Sequence, residues 1–196
     1  MTLVGPRLRD VSGTVLPAPA GRWFRPADAT EQRALADAVG PVLDVGCGPG
    51  RHVFALAERG IAVLGIDITE RALAHARARS IPVLERCVFG RVPGAGRWQS
   101  ALLLDGNIGI GGDPAQLLRR VRELLADTGR ILVELDPPGT KSRRTRVRLE
   151  IDDAAGPWFD WARVGIEDLD ILATAAGARA GVRWEDSGRW FAWLDA

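Results

Sequence analysis

Apolar and polar positions change rhythm repeatedly along this chain. Short apolar runs fall at Val42–Val45, Ile61–Ile66, Ile81–Leu84, Ala101–Leu104 and Ile131–Val133. Runs of that length, with little polar alternation, suit strands buried on both faces of a sheet. Between most of them the spacing lengthens to that of a helix. Arg51–Arg59 stops at Gly60 and Glu70–Arg79 follows, while Pro114–Ala126 sets Leu117, Leu118, Val121, Leu124 and Leu125 on one face before Gly129. Strand and helix in alternation predict a parallel α/β sheet with right-handed crossovers.

The two ends depart from this rhythm. Pro6, Pro17, Pro19 and Pro26 stand among small residues, so regular structure is expected only after Arg25. "DATEQRALADAVG" then reads as a helix, with Asp28 and Glu31 at capping-box spacing and Gly40 and Pro41 as its stop. At the other end a helix from about Glu167 to Ala176 is stopped by Gly177. "GVRWED", "SG" and "RWFAWL" follow as strand, turn and strand, adding one antiparallel strand to the sheet. Residues 141–164 read as an inserted hairpin or flap, in which Thr145, Val147, Leu149 and Ile151 alternate with Arg146, Arg148 and Glu150.

Bulk properties narrow the classes of function. A chain of 196 residues, 46% of them hydrophobic, predicts one domain over residues 1–196 with a sizeable core. The formal charge is +1, so no overall field draws the molecule to nucleic acid or membrane. The basic run Lys141–Arg148 is balanced locally by Glu150, Asp152 and Asp153, and alternation sets Arg146 and Arg148 on one strand face. Richness in Ala, Gly and Arg, with Lys141 the single lysine, points to a GC-rich bacterial genome. Cys47 and Cys87 lie apart without metal-ligand spacing, so no metal is expected. There is no signal-peptide pattern and no apolar run long enough to span a membrane, which predicts a cytoplasmic protein. Oligomeric state is left open.

The chemistry gathers around "PVLDVGCGPGRH". Gly46, Gly48 and Gly50 follow a strand and open a helix, where bare backbone turns tightly and offers its N–H groups to a ligand. A dinucleotide fingerprint would place glycine where Arg51 stands, which argues against a nicotinamide-dependent oxidoreductase. The second strand ends in "LGIDIT", and its Asp67 can accept hydrogen bonds from both ribose hydroxyls of an adenosine ligand.

Taken together, "VLDVGCGPGRH", "VLGIDIT" and "LLRRVRELLADTGRILVEL" resemble the class I S-adenosylmethionine-dependent methyltransferases, over about Val42–Glu134. The resemblance implies a Rossmann-like three-layer sandwich whose seven-stranded, mostly parallel sheet has the order 3-2-1-4-5-7-6, with strand 7 antiparallel. It implies S-adenosylmethionine as cofactor and S-adenosylhomocysteine as product. Asp44 matches the acid near the methionine amino group and Asp67 the ribose carboxylate; Gly46, Cys47, Gly48, Pro49 and Gly50 would wrap the donor, with Ile68 after the second strand. Where relatives often carry an adenine-binding Asp, this chain has Val88 and Phe89, which predicts apolar contact there. Among the histidines, His52 rather than His75 is the candidate for substrate contact.

Methyl transfer asks mainly for alignment of an acceptor with the activated methyl, and a base where the acceptor holds a proton. The place to look is the carboxyl end of the fourth and fifth strands, where Asp105 and Asn107 precede Gly109, Gly111 and Gly112. Both are expected to contact substrate, Asp105 also the donor. Residues 1–40 and the flap are expected to cover the site, bringing Trp23, Phe24, Arg146 and Trp158 to a small, partly aromatic acceptor. A binding module that holds the donor without transferring its methyl is the alternative from another class.

Overall fold

The computed structural model describes residues 7–16, 20–151 and 154–196. Pro6, Pro17 and Pro19, and the balancing acids Asp152 and Asp153, lie outside the described residues. The chain opens with β1 (Arg7–Asp10), one turn of helix α1 (Ala20–Trp23) and α2 (Ala29–Ala34). The capping box of α2 is complete: the Glu31 N–H donates to Asp28 and the Asp28 N–H donates to Glu31. Sequence alone carries this helix to Gly40, yet it stops at Ala34. Beyond that point Arg59 donates to the Leu35 and Ala36 carbonyls and Ser100 to the Val39 carbonyl, so tertiary donors replace the last helical turn.

Strand and helix then alternate as β2 (Val42–Val45), α3 (Arg51–Glu58), β3 (Val63–Asp67), α4 (Glu70–Arg77), β4 (Val83–Glu85), β5 (Trp98–Leu103), α5 (Pro114–Leu124) and β6 (Leu125–Leu135). Next come β7 (Arg143–Ile151), β8 (Ala154–Ala155) and β9 (Phe159–Arg163), before α6 (Leu169–Ala175) and the closing hairpin of β10 (Arg179–Asp186) and β11 (Arg189–Asp195).

Seven strands make the main sheet, in the order β10-β11-β6-β5-β2-β3-β4. Pairing is parallel from β4 to β6, and β11 runs antiparallel between β6 and β10. Counted within this sheet, that is the expected order 3-2-1-4-5-7-6 with strand 7 reversed. Helices cover both faces. Leu117, Leu118, Val121 and Leu124 of α5, with Leu169 and Ala173 of α6, pack on one side; Leu35 beside α2 and Leu56 of α3 pack with Leu102, Leu132 and Phe191 on the other. Among the described residues no helix is long and apolar enough to cross a membrane.

A second, smaller sheet stands beside the carboxyl end of the first. β7 is its centre: Leu149 and Val147 lie opposite Leu8 and Asp10 of β1, and Thr145 and Val147 opposite Trp161 and Phe159 of β9. Regular structure therefore does not wait for Arg25. β1 reads "RLRD", without an apolar run, and is aligned by Arg7 and Arg9, which both donate to Glu150. The inner face gathers Leu8, Leu16, Val147 and Trp161, with Trp23, Ile110, Leu149 and Phe159 at its margin. The sheet leans on the 3₁₀ turn Asn107–Gly112, where a Cβ added to Gly109 would collide with the Ala162 carbonyl.

Candidate active site

The glycine turn is shaped by contacts from outside it. β2 is buried along its whole length and delivers Asp44 to the edge of the turn. At Gly46, with φ of 74°, a side chain would be strained and would also meet the Asn107 amide at 2.7 Å. That amide donates to the Val45 and Gly46 carbonyls at 2.9 and 3.0 Å. Asn107, predicted to contact substrate, thus braces the turn from the far side. Gly48 faces open space, and its N–H donates to Asp67 Oδ2 at 2.9 Å, while Asp67 Oδ1 accepts the Thr69 N–H at 2.7 Å. A carboxylate has about four acceptor sites, so two remain for ligand hydroxyls. Pro49 and Gly50 complete the turn, and Gly50 serves as the N-cap of α3.

Asp44 is 1% exposed, and its Oδ2 accepts no hydrogen bond among the described residues. Burial pushes its carboxyl up to about 6, with His52 and Arg51 pulling the other way. A buried acceptor without a donor is a vacancy in the hydrogen-bonding inventory, and the ammonium group of an amino-acid ligand would fill it. Together with Asp67 and the bare backbone at Gly48, this donor-less oxygen fits S-adenosylmethionine.

A web of buried charge lies next to Asp44. Glu31 of α2 accepts from Arg51 Nη2 at 2.7 Å and from Arg189 Nη1 at 3.1 Å. Arg51 also donates to both oxygens of Asp105, at 2.7 and 2.6 Å, and Arg189 makes a two-pronged bond to Glu134 at 2.8 Å on each prong. Glu134 in turn accepts the Asp105 N–H at 2.7 Å. Against the upward push of burial, His52 and Arg51 hold the Glu31 carboxyl far below the usual range; against the downward push of burial, Asp105 and Glu31 hold the Arg51 guanidinium above its own.

The remaining predicted residues fall into distinct places. Ile68 is exposed at the mouth of a 230 Å³ cavity that it shares with Glu85, Arg86, Cys87, Gly90 and Arg91, at the carboxyl ends of β3 and β4. Val88 turns instead into the main core, and Phe89 rests its ring where a Cβ on Gly111 would stand. Cys47 is buried where β3 carries Gly65, and burial, with Asp44 nearby, pushes its thiol up. His52 sits buried between Asp44 and Glu31 rather than in an open cavity. Asp105, at φ of 56°, has its carboxylate engaged by Arg51.

Trp23 packs toward the small sheet's inner cluster, whereas Phe24 turns the other way and meets His75 of α4 edge-on at 5.2 Å. Arg146 and Trp158 lie on the outer side: Arg146 faces Asp160 at the surface, and Trp158 stacks under Arg148. The indole that reaches the turn after β5 is Trp161, in the cluster with Ile110. Its signal was available, since Phe159 and Trp161 share strand parity and Trp158 does not. Sequence reasoning also missed Glu31, Glu134 and Arg189, and took Arg51 only as a departure from a glycine motif.

Comparison with known proteins agrees with this geometry. A family model described as a methyltransferase domain matches residues 42–129. An uncharacterized protein of Mycobacterium tuberculosis is 34% identical over 120 residues, 59% of this chain and 40% of that protein. Trans-aconitate 2-methyltransferase of Paracidovorax citrulli is 29% identical over 140 residues, 69% of this chain and 53% of that enzyme. The chain thus spans about half or less of the length of these curated relatives. A SAM-dependent methyltransferase from Bacteroides fragilis, solved in complex with S-adenosyl-L-homocysteine, superposes with a TM-score of 0.81 at 25% identity, over 99% of this chain and 88% of that one. The reversed seventh strand separates this sheet from the all-parallel 3-2-1-4-5-6 order of nicotinamide-binding domains. The sequence match over residues 42–129, the strand order and the solved neighbour support a class I S-adenosylmethionine-dependent methyltransferase.

Proposed function

We propose that this protein transfers a methyl group from S-adenosylmethionine to a small-molecule acceptor and releases S-adenosylhomocysteine. The observation that carries the reading is the buried, donor-less Oδ2 of Asp44 beside a turn whose Gly48 N–H is tied to Asp67. In this reading Asp44 receives the ammonium group of the donor, Asp67 its ribose hydroxyls, and the cavity at Ile68 its adenine. When bound, the donor supplies a methyl activated on a sulfonium, so the protein's task is alignment and exclusion of water.

The acceptor side is the turn after β5. Asn107 fixes the height of the glycine turn, while Trp161, Trp23 and Ile110 offer an apolar wall. The small sheet, α1 and α2 form the cover, held down where Glu31 meets Arg51 and Arg189. For Asp105 to take a proton from an acceptor it would have to give up its ion pair with Arg51. An acceptor that arrives as a ready nucleophile suits this site best.

The test is incubation of the purified protein with S-adenosylmethionine and a panel of small amines, thiols, phenols and carboxylates, read by mass spectrometry for S-adenosylhomocysteine and a methylated product. Donor uptake without product across the panel would leave a binding module. Absence of uptake would overturn the reading.

A further inference from the structure

His52 is 3% exposed and lies between two carboxylates. Its Nδ1 is 3.8 Å from Asp44 Oδ2, and its Nε2 is 3.7 Å from Glu31 Oε1. Both separations are within ion-pair reach, yet neither is a hydrogen bond. His52 Nε2 and Asp44 Oδ2 have no hydrogen-bond partner among the described residues. Two unpaired polar atoms on neighbouring buried groups each cost about 1–3 kcal/mol, and such groups call for an explanation in function.

The surroundings restrict what can balance Asp44. Arg51 and His52 face it from α3, Asp67 from the end of β3 and Asp105 from the loop after β5. Arg51 is already committed to Glu31 and Asp105, and Arg189 of β11 to Glu31 and Glu134. His52 is the remaining cation-forming group beside Asp44, nearly equidistant from Asp44 and Glu31 and hydrogen-bonded to neither. On its far side stands Glu31, delivered by α2 from the cover.

We infer that His52 is a positioning residue for the donor: it faces the Asp44 carboxyl where the ammonium group would bind, Glu31 braces it from the cover, and donor binding displaces into solvent a proton held by Asp44. The inference rests on the donor-binding reading above. Before binding, the buried Asp44 carboxyl is neutralised by its own proton; once the ammonium group becomes the counter-ion, that proton is no longer needed. Binding and proton release are then linked. Burial, which pushes the Asp44 carboxyl up to about 6, puts the exchange in an accessible range of pH.

Isothermal titration calorimetry of the intact protein with S-adenosylhomocysteine, from pH 5.5 to 8.5 in buffers of unlike ionisation enthalpy, tests this without turnover. The expected result is release of a fraction of a proton near pH 6, fading toward pH 8.5, with affinity rising up to about tenfold per pH unit below the midpoint and level above it. His52→Gln, checked for its fold by circular dichroism, should bind more weakly and move the midpoint up by about one pH unit, because the neighbour that favours ionised Asp44 is gone. Uptake with no proton released, measured on the unmodified protein alone, overturns the inference while leaving the proposed function standing, as does a His52→Gln profile superimposed on the parent. No uptake at any pH overturns both.

Discussion

In the proposed donor cradle the chain meets itself over short distances, backbone N–H to side chain: the Gly48 N–H finds Asp67 nineteen residues later, and the Thr69 N–H finds the same carboxylate. In the proposed cover the contacts are charge pairs between remote segments. Glu31 accepts from Arg189, 158 residues away, and Arg9 reaches Glu150, 141 residues away. The difference separates two kinds of precision. A glycine turn is fixed first by which residues tolerate its dihedral angles, and here it needs only Asn107 and Asp67 as outside braces. A buried ion-pair web is fixed only by mutual satisfaction, and removing one member leaves the others uncompensated.

Substitutions can break that contrast, and the largest effect is expected in the cover. Glu31→Ala leaves Arg51 and Arg189 buried without their shared partner, and should cost about 3–5 kcal/mol in unfolding free energy, measured by urea titration. A cost under 1 kcal/mol would mean that the web relaxes and the contrast is false. Next comes Asp67→Ala, which should weaken S-adenosylhomocysteine binding about a hundredfold by calorimetry, the worth of two charged hydrogen bonds at about 1.5 kcal/mol each, while the melting temperature moves little.

Asp44→Asn sharpens the comparison because its two effects have opposite signs. Burial raises this carboxyl, so the folded protein binds the proton more tightly than the unfolded chain. The stability the group lends is complete below about pH 4 and is lost as pH rises through about 6. A neutral amide avoids that loss: ligand-free Asp44→Asn should gain on the order of 2 kcal/mol at pH 7.5 and almost nothing at pH 4, judged from thermal melts, and should lose donor binding. The smallest effect is expected at the outer face, where Arg146 is 3.6 Å from Asp160 with both side chains mostly in water. Arg146→Ala should change stability by less than about 0.5 kcal/mol and leave donor affinity untouched.

The same contrast explains what was legible in the sequence. Val42–Val45 and the apolar face of α5 announce themselves because a buried parallel strand and an amphipathic helix write their period locally. Asp44, Asp67 and the glycine turn could be read because their spacing is dictated by one strand-turn-helix unit. β1 could not, since "RLRD" acquires its strand character only from β7. Glu31 was readable as a capping residue and opaque as the hub of a charge web, because Arg51 and Arg189 come to it through tertiary structure alone. Trp158, just before β9, packs outward under Arg148, whereas Trp161 within the strand faces inward to Ile110, a distinction that its shared parity with Phe159 carries locally.

The joint at Gly109 carries one more implication. There the 3₁₀ turn and β9 press main chain against main chain, with no side chain standing between Gly109 and Ala162. The spacing at this joint is therefore insulated from drift in the outward-facing Arg146 and Trp158, though not in Trp161, which packs with Ile110 of the same turn. A lineage could rewrite that outer surface for a new acceptor, residue by residue, with the donor half left in place.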